Sequence, residues 1–431
     1  MPASEPPPDL GIPPSTKTVR VSIIDTLATI RTGASRFLEP AFRGYELLDA
    51  CCFAFLIEHD GGGGRRRLVF DLGVRKDWRT GFSPTLQNLA ARLIQAGDEA
   101  AAAAGRHSAG SGGAIDAPKD TSDILAEHGV DPDSVEAVIW SHAHMDHIGN
   151  PARFGPATAL VVGPGFDIGC TCGVGDGGDT ASSSSSSHIF PGYPADPQGV
   201  VLEADYAGRE LRELTDAVFE AAPLRIGGFR ALDYFGDGSF YLLSTPGHAV
   251  GHLCGLARVT AGPDHGHHGG SFVLMAGDAL HHAGQLRPSP YRPLPDSVSP
   301  SPFGGGNNED KDAPSPTSST SSTAAFVKLL PAGDRTRAFF RPASTPGVAV
   351  HADPAEAQRT VHKLQAFDAH DNALVVAAHD RHLLETLTAD ERFPHAANDF
   401  VQRNIAGRAR WRFLRDLAKA AEEDATVGSG K

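Results

Sequence analysis

Between His142 and His147 six consecutive positions hold three imidazoles and one carboxylate, in the order His142-Ala143-His144-Met145-Asp146-His147. Immediately upstream, Val135 to Trp140 is a short apolar, β-branched run that reads as a buried strand, so the cluster leaves the end of that strand on a loop. His142 and His144 are two residues apart and in extended backbone point the same way, where both can share one metal ion. Asp146 and His147 turn away and can face a second. Imidazole with carboxylate suits zinc, and also iron or manganese. A solvated His-rich loop is the competing reading, and it gives no reason for this spacing directly behind a buried strand.

Three further segments repeat the theme. Thr245-Pro246-Gly247-His248, Gly277-Asp278 and His379-Asp380 each follow an apolar run: Phe240 to Leu243, Phe272 to Met275 and Leu374 to Ala378. The first block resembles the HxHxDH signature of the metallo-β-lactamase superfamily, and the other three resemble the rest of that pattern in the same order, over roughly Val19 to Asp380. The resemblance implies an α/β fold, a four-layer αββα sandwich of two mixed β-sheets with outer helices. It implies two divalent metal ions, zinc above all, with His142, His144 and His248 on the first, Asp146, His147 and His379 on the second, and Asp278 bridging. Two such cations bring the pKa of bound water to about 7, so a metal-bridged hydroxide is available at neutral pH. Asp71, in Asp71-Leu72-Gly73, matches a family position that supports the ligands from behind; a plain turn carboxylate is the alternative. His252 either orients a ligand in the same way or is a partly buried strand residue.

The lactonase-like branch, of the N-acyl homoserine lactonase type, shares two details with this chain: Gly251-His252 after the third block, and an Asp directly after His379. Those lactonases commonly carry a Tyr three residues past the bridging Asp. Here His281 stands there, with His282 beside it, and an imidazole can stabilise an oxyanion or protonate a leaving alkoxide. Asp146 and His281 are therefore the residues expected to act in catalysis, with His282 or a water as the alternative to His281. The expected reaction is opening of a lactone or similar cyclic ester. Thioester or lactam hydrolysis is the first alternative, and a mononuclear non-haem iron dioxygenase of the same fold the next. A flavodiiron protein usually has Glu where His144 stands, and a degenerate binding protein would not keep seven ligand candidates.

With 52 acidic against 38 basic residues the formal charge is −14, which argues against a nuclease or any other nucleic-acid partner. The partner implied is a small-molecule substrate; the oligomeric state is not specified. No stretch approaches the roughly 20 apolar residues of a membrane span. Five cysteines, Cys51, Cys52, Cys170, Cys172 and Cys254, and no secretory signal at Met1 to Ser15 suggest reduced thiols and a cytoplasmic location. Cys170-Thr171-Cys172 and the His-rich tip Asp264 to Gly269 are weak metal motifs in Gly-rich loops.

Residues 1–17 read as a flexible leader and 18–425 as one domain, with low-complexity insertions near 97–119, 173–188 and 288–325 expected to lack structure. Strands are expected at Val19–Ile24, Phe53–Glu58 and Leu68–Phe70, the last two a hairpin around Gly61–Arg67. Leu160–Val162 is another strand, and a meander spans Leu224–Met275. Helices are expected at Phe82–Ile94, at Ser122–His128 with Ser122 as cap, and from Asp353 to about Phe367. Another is expected within Asn398–Glu423, with Trp411, Phe413, Leu414 and Leu417 as its apolar stripe.

Overall fold

The computed structural model describes residues 4–166, 189–221, 223–262, 270–303 and 319–427. Cys170 and Cys172, the 173–188 insertion, the His-rich tip and the middle of the 288–325 segment lie outside these residues. The strands in chain order are β1 (Arg20–Gly33), β2 (Leu47–Gly61), β3 (Gly64–Phe70), β4 (Ala114–Asp116), β5 (Ala137–Ile139), β6 (Ala159–Val162) and β7 (Leu211–Glu213). They continue with β8 (Leu224–Ile226), β9 (Phe229–Asp233), β10 (Phe240–Ser244), β11 (Leu253–Ala261), β12 (Gly270–Gly277) and β13 (Ala373–Ala377). Among the described residues they form a seven-stranded sheet, ordered β4-β1-β2-β3-β5-β6-β7, and a six-stranded sheet, ordered β13-β12-β11-β10-β9-β8. Both are mixed: β3, β5, β6 and β7 pair in parallel in the first, β12 and β13 in the second.

Strand periodicity sorts the side chains into layers. On β2, Cys51, Phe53, Phe55 and Ile57 point between the sheets, where they meet Leu242, Val273, Met275 and Val376. The alternate residues Cys52, Ala54 and Leu56 face outward, under Leu86, Ala90 and Leu93 of the helix Pro84–Ala103. On the far side Leu243, Leu256 and Leu274 are covered by Val361, Leu364 and Phe367 of the helix Pro354–Asp368. The result is the four-layer sandwich expected. Phe53 is 1% exposed, and its truncation to Ala removes a core contact of about 3–5 kcal/mol.

Several boundaries differ from the sequence reading. Residues 97–119 are not structureless. The helix beginning at Pro84 runs to Ala103, and β4 pairs with β1. Their Gly content reflects close approach: a Cβ on Gly97 would stand 2.4 Å from the Gly113 Cα. The leader is docked: Leu10 and Ile12 are buried, the Leu10 carbonyl accepts from the Gly227 N–H at 2.7 Å, and that of Pro13 from the Arg258 guanidinium at 2.6 Å. The flanks of the 288–325 segment are ordered as well, Ser297–Val298 pairing with Ser321–Ser322. The helix expected at Ser122–His128 spans Thr121–Glu127 and is capped by Asp120, not Ser122, because the Asp120 and Asp123 carboxylates close a reciprocal box. The C-terminal stripe is broken into the short helical turns Ile405–Ala409 and Arg412–Leu417, followed by the helix Ala418–Val427. Phe413, Leu414 and Leu417 pack into a separate cluster with Phe339 and Phe340 rather than along one helix face.

Candidate metal centre

The strand ends converge at one rim of the sandwich. β5 of the first sheet delivers Ser141 to His147, while β10, β12 and β13 of the second deliver His248, Asp278 and His379. Two turns need residues without a side chain. Gly277 has φ +51°, and a Cβ there would stand 3.0 Å from His252 Nε2 and 3.1 Å from Ser141 Cβ. Gly247 has φ +124°, and its Cβ would collide with the Ala357 backbone nitrogen at 2.2 Å.

The seven residues implied as ligands are brought together in two groups of four that share Asp278. One group is His142, His144, His248 and Asp278, the other Asp146, His147, Asp278 and His379. Asp278 divides its oxygens between them. Oδ1 lies 3.0 Å from His147 Nε2 and 3.0 Å from His379 Nε2. Oδ2 lies 3.4 Å from His248 Nε2 and 3.9 Å from His142 Nε2. His248 Nε2 is 2.9 Å from His144 Nδ1, and Asp146 Oδ2 is 3.3 Å from His379 Nε2.

The atoms behind the rings fix which nitrogen faces inward. His147 Nδ1 donates to Asp71 Oδ2 at 2.7 Å and His379 Nδ1 to the Cys51 carbonyl at 2.7 Å. Ser141 Oγ donates to Asp71, so it accepts from His142 Nδ1 at 3.0 Å. Each Nε2 is thereby left with its lone pair. His142 Nε2, His147 Nε2 and Asp278 Oδ1 are buried without a hydrogen-bond partner. A buried lone pair of this kind costs about 1–3 kcal/mol unless something is bound to it, so the donor set fits a metal ion. Asp71 holds its part from a left-handed backbone, φ +57°, with its carboxylate also accepting from the Ser141 N–H at 2.7 Å. His252 lies behind Asp278: its Nε2 accepts from the Asp278 N–H at 3.1 Å and its Nδ1 meets Thr245 Oγ1 at 2.7 Å.

Electrostatics divides the two groups. Burial pushes the His142 imidazole well below its ordinary value, with the neighbouring imidazoles adding to the effect, and His248 goes the same way despite Asp278. Burial opposes protonation of His147 and His379 too, but their neighbours together outweigh it and raise both: Asp278, Asp71 and Asp146 around His147, and Asp278, Cys52 and Asp146 around His379. Asp278 itself is pulled up by burial and held well below the carboxylate range by His379, His147 and His281. The carboxylates that raise these two imidazoles set up a field that favours cationic charge at the site.

His281 is fully buried, with Nε2 3.2 Å from Asp278 Oδ2 and its ring 4.8 Å from those of Phe37 and His248. Neither of its ring nitrogens has a hydrogen-bond partner. His282 points away from the centre, to Asp416 Oδ2 at 3.1 Å. His351, His382 and Asp416 were not singled out from the sequence, and all three stand close by. The only local sign of His351 is its place between the apolar Val348–Val350 and the helix cap at Asp353.

Among the described residues, two cavities open on the centre. One of about 160 Å³ reaches His144, Asp146, Asp278 and His379; most of its remaining wall is apolar, with Phe37, Leu48, Leu93, Met145 and Val350, and Arg36 and Thr32 also line it. The other, about 700 Å³, is charged, with Arg31, Asp49, Arg381 and Asp416 on its walls and His281, His282 and His379 at its inner end. Among the described residues no helix is long and apolar enough to cross a membrane.

A family model described as the metallo-beta-lactamase superfamily matches residues 52–379. Gamma-lactamase FDB1 of Fusarium pseudograminearum is 39% identical over 420 residues, covering 97% of this chain and 87% of that protein. Metallo-hydrolase mfmC of Annulohypoxylon moriforme is 37% identical over 418 residues, 96% of this chain and 92% of that protein. Gamma-lactamase MBL2 of Gibberella moniliformis is 40% identical over 297 residues, 69% of this chain and 100% of that protein.

Proposed function

Because the chain belongs to the metallo-beta-lactamase superfamily, we propose that it is a dinuclear metal-dependent hydrolase that opens a small cyclic amide or ester, a γ-lactam or a lactone. The observation that carries this is the division of the Asp278 oxygens between two complete donor groups. Two relatives covering most or all of their own length are named gamma-lactamases, which moves the lactam beside the lactone as substrate. Zinc suits a set of imidazoles and carboxylates, and when bound it supplies a nucleophile from water at neutral pH and polarises the carbonyl.

The chain's own residues do the rest. The apolar cavity beside Asp146 holds the uncharged body of the substrate and keeps bulk water from it. His281, over Asp278 Oδ2, donates a hydrogen bond to the oxygen that gains charge, or gives its proton to the departing ring atom. Asp146, with Oδ2 3.3 Å from His379 Nε2, would help hold a metal ion and orient the attacking group. A cytoplasmic location belongs to this reading, supported by the free, buried thiols of Cys51, Cys52 and Cys254.

The test is metal analysis of the purified protein together with turnover of a panel of γ-lactams, lactones and thioesters. Two zinc or mixed divalent ions per chain with ring opening are expected. One iron per chain with consumption of oxygen would replace the proposal with an oxidative reading.

A further inference from the structure

We propose that His351 is a positioning residue that decides which ring nitrogen His248 presents to a metal ion. The inference rests on the reading of His248 as a ligand and extends it to a residue outside the family pattern. His351 Nε2 lies 3.2 Å from the Phe37 carbonyl oxygen. A carbonyl only accepts, so this nitrogen carries the proton, and in the neutral ring Nδ1 keeps its lone pair. That lone pair lies 3.2 Å from His248 Nδ1. His248 Nδ1 is therefore the donor, and His248 Nε2 is left free toward Asp278 and His144. The relay runs in one direction, from the His248 ring through the His351 ring to the Phe37 carbonyl.

His351 thus does with an imidazole what Asp71 does for His147 and the Cys51 carbonyl does for His379. Its placement is built. The Ala352 N–H donates to the His248 carbonyl at 2.9 Å and the Asp353 N–H to the Gly247 carbonyl at 2.8 Å, so the segment carrying His351 is tied to the turn carrying His248. His351 also belongs to a trio with His248 and His281 whose nitrogens could share an ion. Both of its ring nitrogens are already used, one on Phe37 and one on His248, which argues for an orienting role over a third metal site.

The experiment compares wild type, His351→Phe, His351→Gln and His248→Ala, by zinc competition against a chromophoric chelator and by melting of the metal-free proteins. Wild type is expected to bind two zinc ions. His351→Phe should still bind two at saturation, one of them about 10–100-fold more weakly, because its partner on His248 Nδ1 is gone. His351→Gln should recover most of that loss, since its amide can accept from His248 and donate to Phe37, and should melt with His351→Phe when metal-free. Should His351→Phe fail to fold, His351→Asn, polar but too short to reach both partners, takes its place. Unchanged affinity in His351→Phe or His351→Asn overturns the proposal and leaves the metal centre standing. Two tight ions in His248→Ala overturn the centre itself. A third ion in wild type that is lost in the His351 variants makes His351 a ligand and overturns the orienting role.

Discussion

Two clusters in this molecule are built from the same residue types and wired in opposite senses. At the candidate metal centre the Nδ1 atoms of His142, His147 and His379 donate outward, to Ser141, Asp71 and the Cys51 carbonyl, and the Nε2 lone pairs converge. On the wall of the large cavity His282, His382 and Asp416 also lie within ligand distance of one another. There, N–H groups point into Nδ1: the Gly284 amide into His282 at 2.9 Å and the Arg415 guanidinium into His382 at 2.9 Å. Both Nε2 atoms must then carry protons, and both donate to the same oxygen of Asp416, at 3.1 and 2.7 Å. The first cluster turns its lone pairs toward one another. The second is a closed hydrogen-bonded tie between the C-terminal turns and the cavity wall. What stands behind an imidazole, rather than the count of imidazoles, separates a metal site from a strap.

The widest gap between the clusters should appear on removing a ligand. Asp278→Ala and His142→Ala should lose at least about 10³-fold in kcat/KM, some 4 kcal/mol, along with bound metal. Full activity in either variant would remove the basis for treating the first cluster as a metal centre.

A residue inside that cluster that is not a ligand should behave differently. His281→Ala should keep its metal and lose about 10²–10³-fold in turnover, with His281→Tyr recovering part of it. Wild-type turnover in the Ala variant would leave His281 without a catalytic role.

Behind the rings, Asp71→Asn should weaken metal binding by about 10–100-fold while leaving the ligands in place, measured by chelator competition.

The smallest effect is expected at the strap. Asp416→Ala should leave the metal content unchanged and cost about 1–3 kcal/mol of stability in a denaturant titration, since two imidazole N–H donors lose their acceptor. Loss of a metal ion in this variant would erase the distinction between the clusters. The strap also has a pH signature. Burial pulls the Asp416 carboxyl up, but the bonds from His282 and His382 outweigh it and hold it well below its ordinary value. A depressed folded value means the contribution is present above the unfolded carboxylate value near pH 4 and fades as pH falls below it. The stability difference between wild type and Asp416→Asn should therefore shrink below about pH 4.

That these His and Asp segments would meet was legible because a metal-binding pattern confines such residues to strand ends, and each strand carries its own apolar signature. His351 and Asp416 were not legible, because their partners lie far along the chain: His351 meets His248 across 103 positions and Asp416 meets His282 across 134. Nothing local marks Asp416, and His351 shows only its place between Val348–Val350 and the helix cap at Asp353. The 97–119 segment misled for a different reason. Its glycines looked like low complexity, whereas Gly97 and Gly113 are small because two backbones touch there. The C-terminal stripe misled because Phe413, Leu414 and Leu417 serve a cluster shared with Leu38, Leu294 and Phe340 rather than one helix face.

The two donor groups draw on both sheets: His142 to His147 leave β5, while His248, Asp278 and His379 leave β10, β12 and β13. Bound ions would then act as a clasp across the seam, present only when both halves have met. By mass action, free metal at a hundred times its dissociation constant adds about 2.7 kcal/mol to the assembled state. A cell short of the metal would lose this protein to proteases as well as to inactivity, so its abundance would follow metal supply even at constant synthesis.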